Sequence, residues 1–187
     1  MTSDRCAVGF RVHSGWAAAV IVGGTIRRPL IMDRRKIALA PSEAEEFTQP
    51  YHVASTVGIA AGRKVIERAE RSAERLAMTG LRDLLKVAPA GLAACAILVS
   101  KAKLPGDLEA VLQSHALVHG AEGELFRNAI ARAAVTYAFE VDRFVEHDIS
   151  GELTSLSVTP GPPWTKDEKL ATLAALFSLE KRVLAAV

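Results

Sequence analysis

The fold is decided by the stretch CAVGFRVHSGWAAAVIVGGTIRRPLIMDRRKIALA, which runs from Cys6 to Ala40. Its apolar and β-branched residues fall into three runs separated by Ser14-Gly15 and Gly23-Gly24, dipeptides that are typical of turns. The runs predict three consecutive strands that pair as an antiparallel meander. The basic residues at 34–36 predict that the third strand has an exposed portion or lies near an edge of the sheet, where cationic side chains discourage pairing with other sheets.

The next part of the chain predicts a loop, a helix and a buried strand. Residues 41–52 carry turn formers and acids and predict a connecting loop, in which Ser42 and Glu45 have the spacing of a capping box that starts a short helical turn. Residues 54–87 have helix length, with small residues in the first turns that allow close backbone approach. The continuous apolar run 92–100, bounded by Pro89-Ala90-Gly91, predicts a strand covered on both faces in the middle of the sheet.

The last part of the chain predicts a helix, a strand and a final helix. Asp107 is a good N-cap for a helix that continues to about Ala134. Residues 136–145 alternate as in a strand, and 151–164 are irregular. Thr165 and Glu168 then form a second capping box, and the final helix runs to near Val187. Its apolar positions cover more than a narrow stripe, so it is either well packed or shared with another subunit.

Length and composition limit the class of protein. The 187 residues predict one α/β domain over 1–187. The net charge of +2 does not support nucleic-acid binding. No segment has about 18 uninterrupted apolar residues, and the two cysteines have no disulfide or zinc-site spacing. The sequence therefore predicts a cytoplasmic protein that does not bind a membrane.

The order strand, strand, strand, helix, strand, helix, strand, helix resembles the ribonuclease H-like fold. That resemblance implies a single-domain mixed sheet, with a three-strand antiparallel meander, two further strands and helices on both faces. Nucleases of this family hold two divalent cations with acidic residues, beginning with an aspartate in the first strand. Here the first strand has Arg11 and His13 and no carboxylate, and the fourth ends in Ser100-Lys101. The resemblance thus transfers the fold and no catalytic residue.

The helix after Asp107 carries ionisable residues on the stripe that its periodicity directs inward. At about 100° per residue, this stripe comprises Leu108, Val111, Leu112, His115, His119, Glu122, Phe126, Ala129, Ile130 and Ala133. An inward carboxylate must be paired or hydrogen-bonded, and His119 and Glu122 are close enough in sequence to touch. We therefore take His115, His119 and Glu122 as the candidate catalytic residues.

Three interpretations of this stripe remain open. The residues form a satisfied polar cluster, or a pocket in which Glu122 orients a histidine that acts on a ligand as a base or donor. The third interpretation is a metal site, because His115 and His119 at i, i+4 can share a cation. Glu122 lies two turns beyond His115 and no third ligand is evident, so the sequence assigns no metal.

Other polar residues are candidates for ligand binding. His13 and Ser14, at the end of the first strand, could line the same crevice, since sites on α/β sheets gather at strand ends. His52 precedes the long helix, where a surface turn competes with an anion site at the helix N-terminus. Ser100 and Lys101, at the end of the buried strand, would suit a phosphate, although such lysines are usually only solvated.

Together these features predict a module that binds a small or anionic ligand or a partner, with no identifiable cofactor. One alternative is a small hydrolase or transferase that uses the His/Glu residues for acid–base chemistry. The other is a structural homo-oligomer with an interface built from the final helix and the third strand. Homo-oligomerisation is expected under the leading interpretation as well.

Overall fold

The computed structural model describes residues 5–88, 92–101 and 103–185, which form a five-stranded sheet with helices on both faces. The strands are β1 (Cys6–His13), β2 (Trp16–Thr25), β3 (Arg28–Ala38), β4 (Leu92–Val99) and β5 (Val141–Val145). The helices are α1 (Glu45–Thr48), α2 (Pro50–Val57), α3 (Ile59–Leu85), α4 (Leu108–Leu112), α5 (His115–Thr136), α6 (Glu146–Ile149) and α7 (Lys166–Leu184), with a 3-10 helix at Ser150–Ser155.

The sheet consists of the predicted antiparallel meander and two further, parallel strands. Its spatial order is β3-β2-β1-β4-β5, with β1, β2 and β3 antiparallel and with β4 parallel to both β1 and β5. The edge position of β3 is as predicted. The middle strand is β1, so the prediction for β4 was wrong in position, although β4 is largely buried as expected. The predicted boundary at Pro89-Ala90-Gly91 lies outside the described residues.

The two faces of β1 pack against different helices. Val8 and Phe10 face the core formed with α3 and α5. On the opposite face α7 crosses the sheet so closely that a Cβ on Gly9 would lie 1.8 Å from the carbonyl oxygen of Ala171. Only glycine fits there. Apart from Leu184 at its end, the leucines of α7 are buried within the chain, so intramolecular packing explains most of its broad apolar surface.

The segment before α3 is more helical than predicted. The predicted loop contains α1 and the first turn of α2, and Gly58, with φ of 79°, separates α2 from α3. The capping box at Ser42 and Glu45 does not form, because α1 begins after Ala44 and has no side-chain cap. Gly62 allows the close approach expected of the small residues, and the element that approaches is α2, through Ala54.

The last two helical regions follow their capping signals. Asp107 caps α4 by accepting hydrogen bonds from two backbone N–H groups, but that helix ends at Leu112 and a second helix begins at His115. The capping box before α7 forms: Glu168 N–H donates to Thr165 Oγ1 at 3.2 Å, and Thr165 N–H donates to Glu168 Oε2 at 2.7 Å. Among the described helices, none is long and apolar enough to cross a membrane.

Candidate functional site

The predicted inward stripe is correct over most of α5 and fails only at the start of that helix. Glu122, Phe126, Ala129, Ile130 and Ala133 are all buried, as predicted. Val118, Ala121 and Leu125 face the core together with Glu122 and Phe126. His115 and His119 lie at the solvent-exposed side. The inward orientation predicted for these two histidines was therefore wrong, whereas that of Glu122 was correct.

Glu122 is bound to α2 through His52. Its side chain is only 1% exposed. Glu122 Oε1 accepts a hydrogen bond from the backbone N–H of His52 at 3.2 Å and lies 2.8 Å from His52 Nδ1. His119 Nδ1 is more distant, at 3.9 Å from Glu122 Oε2. His52 thus belongs to the first turn of a helix, not to a surface turn, and it is the imidazole that Glu122 orients.

Three imidazoles meet where α2 lies against the start of α5. One ring nitrogen from each of His52, His115 and His119 lies within 4.8 Å of the other two. The ring centroids are 4.5 Å apart for His52 and His119, and 4.3 Å apart for His115 and His119. We call these three residues together with Glu122 the histidine cluster. Its glutamate is buried and its outer histidines are open to solvent.

The histidine cluster offers a defined set of chemical groups. The Glu122 carboxylate near Nδ1 of His52 leaves the Nε2 atom of that ring for a ligand. The imidazoles of His115 and His119 lie on successive turns of α5. Neutral imidazole nitrogens bind transition metals and accept protons, so the arrangement fits either a cation or a hydrogen-bonding ligand.

The neighbouring Tyr51 lines a cavity of about 390 Å³ together with Arg63, Glu70 and Leu108. Burial, followed by the charges of Glu70 and Glu122, raises the pKa of Tyr51 to about 12. The phenol therefore remains a neutral hydrogen-bond donor at physiological pH.

His13 and Ser14 do not join the histidine cluster. His13 lies on the face of the sheet covered by α7, where its Nε2 is 3.0 Å from Asp167 Oδ2 and its ring stacks on Trp16. Ser14 is an exposed turn residue. The predicted common crevice between His13 and the histidines of α5 was therefore wrong, because β1 directs its alternate side chains to opposite faces.

Acidic residues do gather near the end of β1, although none is in β1 itself. Arg11 Nη2 lies 2.9 Å from Glu146 Oε2, and Arg11 Nε lies 4.0 Å from Asp167 Oδ1. Lys166 Nζ is 3.7 Å from Glu146 Oε1. This group was not predicted from the sequence, because its members come from β1, α6 and α7. Both carboxylates face cationic side chains of the chain itself.

Ser100 and Lys101 separate at the end of β4. Lys101 pairs with Asp148 at 2.8 Å and is 63% exposed, as expected of a solvated lysine. Ser100 lines a cavity of about 220 Å³ with Gly120, Arg127 and Arg143. An anion could reach the two arginines there, but Glu124 already pairs with each of them.

A further polar group, not identified from the sequence, fixes α7 to β5. Asp142 is buried and accepts hydrogen bonds from Ser178 Oγ and Lys181 Nζ, each at 2.6 Å, and from Arg182. Burial alone would raise the pKa of Asp142, but these hydrogen bonds outweigh it and hold the pKa below its usual range.

Burial also raises the pKa of the nearby Cys95 thiol to about 12, with a smaller contribution from Asp142, so this thiol is not a nucleophile.

The fold of this chain is similar to that of solved RuvC structures. One similar structure is Thermus thermophilus RuvC in complex with a Holliday junction substrate: the TM-score is 0.58 at 8% identity, and the match covers 98% of each chain. A second T. thermophilus RuvC structure matches with a TM-score of 0.52 at 10% identity, over 95% of this chain and 96% of that one. No protein-family model and no curated protein matches the sequence. The chain therefore has a ribonuclease H-like fold, as predicted.

Proposed function

We propose that this chain is a ligand-binding module of ribonuclease H-like fold that takes its ligand at the histidine cluster. The supporting observation is that a carboxylate with 1% exposure, Glu122, is used to orient His52 while the two histidines of α5 remain open to solvent. Burying a carboxylate is costly, and pockets with convergent polar groups are where such costs are commonly tolerated. The cluster thus has a fixed inner part and an accessible outer part.

The surroundings of Arg11 support a function other than two-metal nuclease chemistry. Such chemistry requires carboxylate oxygens that are available to divalent cations. In this chain Glu146 and Asp167 face Arg11, with Lys166 and His13 on their other sides. A divalent cation would have to displace the guanidinium and would meet its positive charge.

Thermal stabilisation tests the ligand-binding proposal. Divalent cations, phosphate and small carboxylates are each added to the wild type and to His119→Ala, a variant at an exposed position. A ligand that binds the native state at 100 times its Kd stabilises it by about 2.7 kcal/mol, a clear shift in Tm. We expect at least one compound to stabilise the wild type and not the variant. If none distinguishes the two proteins, the proposal is wrong.

Junction DNA tests the nuclease alternative, since one similar structure contains a Holliday junction substrate. We expect no cleavage by the wild type with Mg²⁺ or Mn²⁺. Cleavage that is lost in Asp167→Asn would contradict our proposal and would assign the activity to the acids near β1.

A second candidate function, acid–base catalysis, is favoured by the 2.8 Å contact between His52 Nδ1 and Glu122. A carboxylate that orients an imidazole can prepare its other nitrogen to act as a base. Hydrolysis of p-nitrophenyl acetate by the metal-free wild type, and its loss in Glu122→Gln, would favour this candidate. Equal rates in the two proteins would count against it.

A further inference from the structure

We propose that the ligand of the histidine cluster is a single zinc-class cation, bound by one ring nitrogen from each of His52, His115 and His119. This inference rests on the proposed function and identifies the ligand of that site. Glu122 is then the outer partner that holds His52, and the fourth coordination position is open to solvent.

The geometry requires only a small contraction of the cluster. Zinc binds imidazole nitrogen at about 2.0–2.1 Å with tetrahedral angles, which places ligand nitrogens about 3.4 Å apart. The three nitrogens here lie within 4.8 Å of one another. His115 and His119 are exposed, so their side chains can rotate by the required amount without disturbing the core. They project from successive turns of one helix, while His52 approaches from α2.

The type of ligand atom selects the metal. Imidazole suits zinc, copper, nickel and cobalt, whereas magnesium and calcium prefer sets of oxygen ligands. Both cysteines are buried in the strands, away from this surface. Metal-bound histidines commonly donate their second ring N–H to a carboxylate, which fixes the ring and raises its basicity. Glu122 is placed to accept that N–H from His52 at 2.8 Å.

The balance of charges also favours binding. His115 is the first residue of α5, and the helix dipole disfavours a cation at this end. That effect amounts to about two- to fivefold in affinity. An outer carboxylate is worth about 10- to 100-fold, so Glu122 more than offsets it.

The protein would supply only three of the four ligands of a tetrahedral zinc ion. Within the described residues, the three histidines are the ligands that come together here, and Glu122 is engaged by His52. Zinc sites with three protein ligands keep the fourth position for water or an exchangeable donor. The exposure of His115 and His119 leaves room for that donor.

Titration of the tag-free chain with ZnCl₂ by calorimetry tests the proposal, with Co²⁺ absorption as a report of tetrahedral coordination. We expect one Zn²⁺ per chain. His115→Ala and His119→Ala should each lower the zinc affinity by more than about 100-fold, which exceeds the loss expected when a residue that only hydrogen-bonds a metal ligand is replaced. Glu122→Gln should lower it by about 10- to 100-fold. His147→Ala is the matched control, because this histidine is exposed and lies outside the histidine cluster. The zinc affinity of this variant should equal that of the wild type.

His52→Gln separates the three-histidine site from simple chelation by the pair on α5. Zinc affinity that is unchanged in this variant, or unchanged in His119→Ala, would overturn the proposal. Circular dichroism identifies any variant that fails to fold. If His52→Gln does not fold, the loss of zinc affinity in Glu122→Gln, whose carboxylate holds His52, separates the two arrangements instead. If phosphate and not Zn²⁺ distinguishes the wild type from His119→Ala, the ligand-binding function stands and the zinc assignment falls.

Discussion

Replacement of Glu122 by glutamine tests whether this buried carboxylate holds α2 against α5 in the absence of any metal. In the wild type, Glu122 Oε1 accepts the backbone N–H of His52 and lies near its ring nitrogen. Glutamine keeps one acceptor oxygen but loses the charge, and it places an amide donor where the second carboxylate oxygen was. The exposed fraction of 1% leaves that donor little access to water.

The expected loss follows from the hydrogen bonds involved. Hydrogen bonds to charged groups contribute about 1.5–3 kcal/mol each, and one of the two is partly retained. We therefore expect the free energy of unfolding to fall by about 2 kcal/mol. For a chain of this size, that corresponds to about 4–8 °C in Tm. Urea denaturation in EDTA measures the first quantity, and hydrogen exchange in α2 should accelerate in the same variant.

Glu124→Gln is the matched control because this residue lies two positions away on the same helix. Its carboxylate is 32% exposed and pairs with Arg143 at the surface and with the largely buried Arg127. Such pairs contribute about 0–1 kcal/mol. If Glu122→Gln costs no more than Glu124→Gln, the carboxylate does not hold α2, and the reasoning about the cluster's fixed inner part is refuted.

Four further predictions concern the rest of the chain. Asp142→Asn should destabilise the protein at neutral pH. The folded pKa of Asp142 lies below its usual range. Its contribution to the free energy of unfolding is therefore complete above about pH 4 and is lost as the pH falls through the folded pKa. Urea denaturation should show that the stabilities of the variant and the wild type converge in acid. Gly9→Ala should cost about 3 kcal/mol or more, owing to the clash with the Ala171 backbone, whereas Gly151→Ala, which has open space, should not. Thr165→Ala should cost about 1 kcal/mol through the lost cap of α7, measured by thermal denaturation. Sedimentation should show a species heavier than the 20.0 kDa monomer, because Leu30 of β3 and Leu184 of α7 are 61% and 79% exposed; a monomer alone would contradict the expected homo-oligomer.

The features of the fold that were predictable are those encoded by neighbouring residues. Asp107 and the pair Thr165 and Glu168 cap helices because the required groups lie within one turn. Ser42 and Glu45 have the same spacing as the second pair, yet no cap forms. A capping box requires the helix to begin directly after its serine, and here the chain begins α1 two residues later. Spacing alone did not contain that information.

The site was less predictable, for two physical reasons. Periodicity predicts which side of α5 faces inward but not how far the core extends along the helix, and His115 and His119 lie in its exposed first turns. The partner of Glu122, His52, lies 70 residues away in sequence, and only packing of α2 against α5 brings them together. From Glu122 alone, the sequence could indicate that a partner was required. It could not indicate which residue would supply it.

The two polar groups of this fold can be studied independently because the sheet separates them. The histidine cluster extends from α5, which packs on the face of β1 occupied by Val8 and Phe10. Arg11 and His13 point to the opposite face, where Asp167 lies in the first turn of α7. A change at Arg11 can therefore alter the charge around Glu146 while leaving the histidines in place. Metal binding that survives Arg11→Ala and disappears in His119→Ala would locate the ligand on the α5 side, away from the acids near the end of β1.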